Sequence, residues 1–278
     1  MIYPLTSKCN QRCIFCSAVG RNDVFEIEKF KEAVSKTQDK LIVFSGGEPF
    51  TLPLNLLVYL IDFCNSNSKQ IEIQTNALLI NRINKKELKI LVHLLLQNDG
   101  YFNVNLSSHR DDVDFKITGI KNGFKRRFEG IKILKGLGAI VRITHVINEF
   151  NYRYLEDFAD FLIKNSDIWN WVQFSFVKAI GRACENKMIV PRYASVKPYL
   201  LKALEKIDKC GFEFWVDHIP LCFLGKFYNH HVDVEKMRKR IKGEYIYEKK
   251  KLPSCKGCKF YRICSGPRVD YVKMYGSI

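Results

Sequence analysis

The sequence predicts an α/β protein built on a parallel sheet. Three observations predict it. Across residues 2–209, six short apolar runs alternate with six stretches of helical spacing. The runs are uninterrupted, as in strands buried on both faces. The joining loops are short, so each helix returns the chain to the same end of the sheet by a right-handed crossover.

The elements follow in order. Residues 2–5 form a short apolar strand, and a cysteine-rich loop follows. Residues 24–35 have helical spacing, and residues 41–44 are an apolar run ended by Ser45-Gly46-Gly47. A helix over 54–64 leads to a β-like run at 71–75, then a helix over 85–97. Residues 102–106 read as a strand, 124–137 as a helix, and 140–147 as a strand rich in β-branched residues. The last unit is a helix over 152–164, a strand over 171–177 and a helix over 196–209. Six units are two short of a full eight-fold barrel, so periodicity leaves a closed barrel, a partial barrel and an open doubly wound sheet in play. In each case the loops after the strands share one mouth. The cysteine loop and the Gly-Gly loop both fall there, although about 30 residues separate them.

After about residue 210 the pattern changes. Residues 211–217 are compatible with one more strand and 219–222 with a turn; a basic run and a cysteine-dense tail follow. This segment has too little apolar periodicity for its own core, and a piece so short needs a metal staple. The expected division is 1–208 and 209–278.

Composition narrows the class. Of 278 residues 47% are apolar and 27% charged, which excludes a disordered or collagenous chain. The longest apolar stretch, 54–63, contains Asp62 and is too short to span a membrane. The opening MIYPLTSKC lacks a basic region followed by an apolar one, so no signal peptide is expected and the cytoplasm is the expected compartment. The net charge of +16 draws anionic partners. Its densest run, 236–251, holds eight basic and two acidic residues. That run reads equally as a solvated surface or as a landing strip for an acidic peptide or a nucleic acid. No nucleic-acid motif accompanies it.

Ten cysteines imply disulfides in an oxidising compartment or metal ligands in a reducing one. Without an export signal, metal is favoured. Cys9, Cys13 and Cys16 form C-x3-C-x2-C. Three thiolates on one loop can each hold one iron of a cubane cluster and leave the fourth iron open to a small chelator. The competing reading is buried structural cysteines, or zinc completed by a distant residue. At the end of the second strand stands Ser45-Gly46-Gly47-Glu48-Pro49, whose glycines let backbone groups approach a ligand. In the tail, Cys255, Cys258 and Cys264 form C-x2-C-x5-C, with Cys222 upstream. Four thiolates saturate either a cluster or a zinc ion.

Together these residues resemble the radical S-adenosylmethionine (radical SAM) superfamily. The resemblance runs through K-C-N-Q-R-C-I-F-C (8–16), F-S-G-G-E-P (44–49), Q-T-N-A (74–77), V-N-L-S-S-H (104–109) and R-I-T-H-V-I-N-E-F-N (142–151), in family order. It implies a partial (β/α)6 TIM-type barrel, an α/β fold, followed here by a small C-terminal auxiliary-cluster domain. Cys9, Cys13 and Cys16 would ligate a 4Fe-4S cluster whose open iron is chelated by SAM. Gly46, Gly47 and Glu48 would hold the SAM amino group, and Phe15 would lie by the adenine. Ser107 would contact the ribose or carboxylate, and Arg142 the carboxylate or substrate. Arg142 reads equally as a partner in an ion pair. Asn76 and His109 are polar residues near the mouth, and His145, inside a β-branched strand, reads as a core residue rather than a base.

The same resemblance implies reductive cleavage of SAM to a 5′-deoxyadenosyl radical that abstracts a substrate hydrogen, with an electron donor of flavodoxin or ferredoxin type. The tail resembles twitch or SPASM auxiliary modules. With so few cysteines, and 14 residues after Cys264, one auxiliary 4Fe-4S cluster is expected, on Cys222, Cys255, Cys258 and Cys264. Cys64, Cys184 and Cys210 read as buried or incidental, although Cys184 follows the sixth strand. The expected substrate is a peptide or protein side chain. The alternatives are a nucleotide, RNA or cofactor precursor and, from another class, a non-catalytic zinc or iron–sulfur binding protein.

Overall fold

The computed structural model describes residues 1–19, 24–184, 186–241 and 245–278. Residues 242–244 of the basic run lie outside the described residues. Seven strands form one parallel sheet in sequential order: β1 (Ile2–Thr6), β2 (Leu41–Gly46), β3 (Gln70–Thr75), β4 (Tyr101–Asn105), β5 (Val141–Ile147), β6 (Trp171–Phe176) and β7 (Phe214–Asp217). A doubly wound sheet reverses its strand order at a switch point. This one does not, and β1 and β7 each pair with a single neighbour among the described residues, so the sheet is a barrel left open. Helices α1 (Ile27–Lys36), α2 (Leu54–Ser66), α3 (Lys85–Leu96), α5 (Gly123–Gly136), α6 (Leu155–Lys164) and α7 (Tyr193–Lys209) follow the first six strands in turn. The six βα units of the sequence are all present. β7 adds a seventh strand, hydrogen-bonded to β6, and carries the barrel sheet past residue 208.

One helix is new. α4 (Asp111–Thr118) lies between β4 and α5. Its apolar residues Val113, Phe115 and Ile117 fall at alternate positions, which is not a helical signal. Charge and capping make it helical. Asp111, Asp112 and Asp114 sit in its first turn, where the helix dipole favours anions, and Gly119 closes it in the left-handed conformation (φ 74°).

The two faces of the sheet differ. Ile42, Phe44, Ile73, Phe102, Ile143 and Phe174 are wholly buried in the main hydrophobic cluster. Phe44 meets Phe30 of α1, which fixes this face as the helix-covered one. The alternate residues of β3–β6 are polar: Glu72, Gln74, Asn103, Arg142, Thr144 and Gln173. They line up across the strands, Gln74 beside Asn103 beside Arg142, and Thr144 beside Gln173. The expectation of strands apolar on both faces is therefore corrected for the middle of the sheet. Its concave side is a polar surface.

The tail packs across the open ends of β6 and β7. It contains α8 (Val232–Arg238), a short α9 (Tyr245–Glu248) and α10 (Val269–Tyr275). Tyr271 of α10 stacks on Tyr193 of α7, with ring centroids 3.9 Å apart. Ion pairs pin the rest. Lys178 reaches Glu248 at 3.1 Å, Arg268 reaches Glu248 at 2.6 Å and Asp270 at 2.9 Å, and Lys249 pairs with Asp233. The Asp270 carboxylate also accepts the Ala179 backbone N–H at 2.6 Å.

Three histidines are buried in neutral form. Burial pushes His145 and His231 down to about 4 and His218 well below its usual value. An unfolded imidazole titrates near 6.5, so the unfolded chain binds more protons between pH 6.5 and 4, and stability falls as pH drops through that window. Glu48 opposes this. Burial raises its carboxyl to about 6, so the folded chain takes up that proton first. From pH 6.5 to 5, His145 and His231 each withdraw about 1–2 kcal/mol and Glu48 returns about 1 kcal/mol, a net loss of about 2 kcal/mol to which His218 adds in the same direction. Urea midpoints at the two pH values measure it. An unchanged midpoint would mean that these imidazoles are hydrated.

Candidate functional site

The cysteine loop leaves β1 and is held from three sides. On one side Gly46 and Gly47 press against it. The Gly47 N–H donates to Thr6 O at 2.6 Å and the Glu48 N–H to Lys8 O at 2.8 Å. A Cβ on Gly46 would lie 2.5 Å from Thr6 O, and Gly46 itself has φ +105°, a backbone that favours glycine. A second hold comes from α4. The N–H groups of Arg12 and Ile14 donate to Thr118 O and Ile117 O at 3.1 and 2.9 Å, which uses carbonyls that the helix end leaves free. The third comes from the loop after β6. The Arg182 N–H donates to Cys16 O at 3.1 Å, and the Arg182 guanidinium reaches Cys13 O at 3.4 Å. Gly181 packs against Cys16, where a Cβ would lie 2.8 Å from Ser17 Cα.

The three thiols differ. Cys9 is exposed; Cys13 and Cys16 are half-buried. Cys16 N–H donates to Cys13 O at 3.2 Å, a turn that keeps the two side chains on one short arc. Burial above all, helped by Cys9 and Cys16 and opposed by Arg127, pushes the Cys13 thiol up to about 12. Phe15 is half-buried and packed against the core between these cysteines. Gln11 Nε2 and Arg127 Nη2 are buried without a hydrogen-bond partner among the described residues. Three mutually influencing thiols on a braced loop, near unused donors, fit a sulfur-rich anionic cluster.

Glu48 is 2% exposed, and its carboxylate is turned into the protein. Oε1 accepts from Thr75 Oγ1 at 2.7 Å and from the Phe50 N–H at 3.2 Å; Oε2 accepts from the Asn76 N–H at 2.7 Å. Asn76 ties this loop to the cysteines. Its Nδ2 donates to Asn10 Oδ1 at 2.7 Å and lies 4.0 Å from Cys9 Sγ. The structure thus brings Gly46, Gly47, Glu48 and Asn76 onto the cysteine loop. Ser107 is wholly buried just past β4, its Oγ donating to Asn105 Oδ1 at 2.9 Å. His145 faces the helices instead, stacked on Phe158 at 4.2 Å, and His109 packs against Phe161 at 5.6 Å.

Arg142 sits second in β5 and is committed to Glu72, with Nη2 2.8 Å from Oε1. Glu72 also accepts from Tyr101 Oη at 2.6 Å, Asn103 Nδ2 at 2.7 Å and Gln74 Nε2 at 3.0 Å. Against the cost of burial, these partners hold its carboxyl below the usual range, with the Arg142 guanidinium the largest of them. The group forms an ordered polar floor on the concave face. Sequence reasoning passed over Glu72, although a Glu in Q-I-E-I-Q-T alternates with isoleucines and so faces away from the helices.

In the tail, Cys222 is drawn to the other three cysteines. Burial above all, together with Cys258, Cys264 and Cys255 nearby, raises its thiol to about 11. The N–H of Leu252 donates to Cys255 Sγ and that of Gly266 to Cys264 Sγ, both at 3.4 Å. The two remote segments of the cysteine pattern are therefore neighbours. Cys64 is buried within the core, and Cys184 and Cys210 are exposed.

An open parallel barrel with a clamped three-cysteine loop at its mouth defines a class of iron–sulfur enzymes. The chain belongs to the radical SAM superfamily, whose sequence model matches residues 3–162. A 4Fe-4S cluster and SAM are the cofactors of that superfamily, and the braced triplet fits them. An uncharacterized protein of Methanocaldococcus jannaschii is 32% identical over 177 residues, 59% of this chain and 58% of its own length. The Fe-coproporphyrin III synthase of Methanosarcina barkeri is 29% identical over 169 residues, 58% of this chain and 40% of its own. The match thus spans about half the length of these relatives. Among solved structures, native anSMEcpe with bound AdoMet has a TM-score of 0.68 at 14% identity, over 97% of this chain and 89% of that one. SuiB of Streptococcus suis bound to S-adenosylmethionine has a TM-score of 0.66 at 15% identity, over 99% and 74%. These likenesses are of fold. Among the described residues no helix is long and apolar enough to cross a membrane.

Proposed function

We propose that the chain modifies a peptide or protein side chain. Cys9, Cys13 and Cys16 hold the SAM-binding 4Fe-4S cluster, and Cys222, Cys255, Cys258 and Cys264 hold one auxiliary 4Fe-4S cluster. One observation carries the reading: the four-cysteine tail is pinned by ion pairs to the ends of β6 and β7, Glu248 to Lys178 at 3.1 Å and Lys249 to Asp217 at 3.5 Å, where the barrel mouth opens. It is supported by fold likeness over nearly the whole chain to anSMEcpe, solved with a Cp18Cys peptide, and to SuiB, which was also solved bound to the precursor peptide SuiA.

When bound, the cluster and SAM supply a carbon radical that takes hydrogen from an unactivated position. The chain's own residues do the rest. Gly46 and Gly47 keep their backbone against the cysteine loop and open to the SAM amino group; Glu48 acts by fixing that loop to Thr75 and Asn76. Phe15 would lie by the adenine, and Ser107, behind Asn105, would reach the ribose or carboxylate once SAM binds. Arg142, through Glu72, keeps the floor under the substrate in place. An electron donor of flavodoxin or ferredoxin type completes the system.

A second reading, modification of a cofactor precursor, is favoured by the synthase among the sequence relatives. Cluster assignment and substrate are tested separately. Anaerobically reconstituted protein should carry about eight irons, and the paired Cys255→Ala/Cys258→Ala variant about four. Cys13→Ala should lose reductive SAM cleavage, and continued cleavage would refute the triplet assignment. Faster SAM turnover with acidic peptides, and not with an iron tetrapyrrole precursor of Fe-coproporphyrin III, is the outcome expected of a peptide enzyme. The reverse would install the second reading.

A further inference from the structure

Arg127 lies in α5 and is wholly buried. Its Nη1 pairs with Asp114 Oδ1 at 2.6 Å, and its Nε donates to Asn76 O at 3.2 Å. Both partners touch the cysteine loop by other routes. Asp114 belongs to α4, whose final carbonyls receive Arg12 and Ile14, and Asn76 reaches Asn10 and Cys9. One turn along, Gly130 admits the carbonyl of Ala77, where a Cβ would lie 3.3 Å from the Ala77 carbonyl carbon. That close approach holds α5 against the 76–77 loop. Nη2 is left over, buried and unpartnered among the described residues. A buried guanidinium N–H without an acceptor costs about 1–3 kcal/mol, so its position calls for one.

Gln11 presents a matching case. Without metal, the Cys13 thiol donates to Gln11 Oε1 at 3.1 Å, while Gln11 Nε2 is buried and unpartnered among the described residues. A thiolate has no proton to give. A half-turn of the amide exchanges its oxygen for its N–H2 at the same spacing and provides the donor a thiolate needs. The Gln11 amide therefore suits an anionic sulfur at Cys13.

We infer that Gln11 is the hydrogen-bond donor to Cys13 as a cluster ligand, that the buried Arg127 charge, anchored to Asn76 beside the same loop, acts on it electrostatically, and that both raise the reduction potential of the SAM-binding cluster. The inference rests on the ligand assignment proposed above. Donors directed at cluster sulfur stabilise the reduced form, which carries one more negative charge, more than the oxidised form. Arg127 adds a full positive charge within electrostatic reach of Cys13, in surroundings that screen little. Both are positioning residues: they act through the cysteine and touch no substrate.

The test is an EPR-monitored redox titration of the reconstituted protein without SAM. The wild type is compared with Gln11→Met, Arg127→Gln and Arg127→Lys, with iron content measured alongside. We expect Gln11→Met and Arg127→Gln to keep wild-type iron and titrate at a more negative potential. The expected shift is about tenfold in the equilibrium, or about 59 mV for one electron. Arg127→Lys should recover most of it. A wild-type potential in an iron-replete Gln11→Met or Arg127→Gln protein overturns the inference. Where Arg127→Gln fails to fold, the paired Asp114→Asn/Arg127→Gln variant removes both charges together, and Gln11→Met decides alone. A wild-type protein with no reducible cluster on the triplet would instead overturn the ligand assignment, and a shift confined to the variants cannot be confused with that.

Discussion

Gly47→Ala is expected to cost about 5 kcal/mol of stability and to leave a protein that cannot be loaded with iron at the amino-terminal site. The methyl group would lie 2.6 Å from the Lys8 carbonyl carbon and 3.0 Å from that of Ser7, and closer still to Lys8 O. All three are backbone atoms, so no side chain can swing aside. Moving the strand end apart also breaks the bonds from Gly47 to Thr6 and from Glu48 to Lys8. Those two contacts fix where Cys9 begins. Urea denaturation and iron content after reconstitution measure the two effects. A variant with a wild-type midpoint would show that the loop has slack the geometry does not reveal.

The second large effect is expected at the floor of the barrel. Glu72→Ala removes the acceptor shared by Arg142, Tyr101, Asn103 and Gln74. It leaves a mostly buried guanidinium without its counter-charge. Breaking such a pair from one side costs about 3–5 kcal/mol, and the stranded neutral donors add about 1 kcal/mol or more. We expect a loss of about 4 kcal/mol after allowing for the partial exposure of Arg142. Glu72→Gln, which keeps the shape and one acceptor oxygen, should lose roughly half as much. Chemical denaturation of the metal-free proteins separates this from any effect on cofactors. If Glu72→Ala and Glu72→Gln both proved as stable as the wild type, the charge would not be the organising feature of the floor.

The parts of the fold legible in the sequence were those encoded within a few neighbouring residues. The six βα units are local periodicities, and the cysteine triplet and Ser45-Gly46-Gly47-Glu48-Pro49 are contiguous strings. That both strings share a mouth follows from their places after strands, and the bonds from Gly47 and Glu48 to Thr6 and Lys8 bear it out. What escaped was set by packing between distant segments. α4 hides because its apolar residues alternate with a period of two, while its helicity comes from charge and a left-handed glycine. Gly181 and Arg182 look like an ordinary turn until they close on Cys16 and Cys13.

Arg127 carried a signal that went unused. In α5 the buried stripe runs through Ile131 and Leu134, and Arg127 falls four residues before Ile131 on that same stripe. A cation on an apolar stripe asks for a buried partner, and Asp114 supplies it. Arg142 had two readings from sequence, a ligand contact or an ion pair. The pairing with Glu72 is the one visible in the fold.

The clamp from the loop after β6 has a consequence for how the enzyme is made. Cys13 leaves the ribosome well before the guanidinium that braces its carbonyl, which is encoded 169 residues later. A nascent chain that has emerged only through β4 already displays all three thiols, but without α4 below them or Arg182 above. Iron delivered at that stage meets an unsupported loop. Maturation is therefore best served by apo-protein that is fully synthesised and folded before the assembly machinery delivers its cargo.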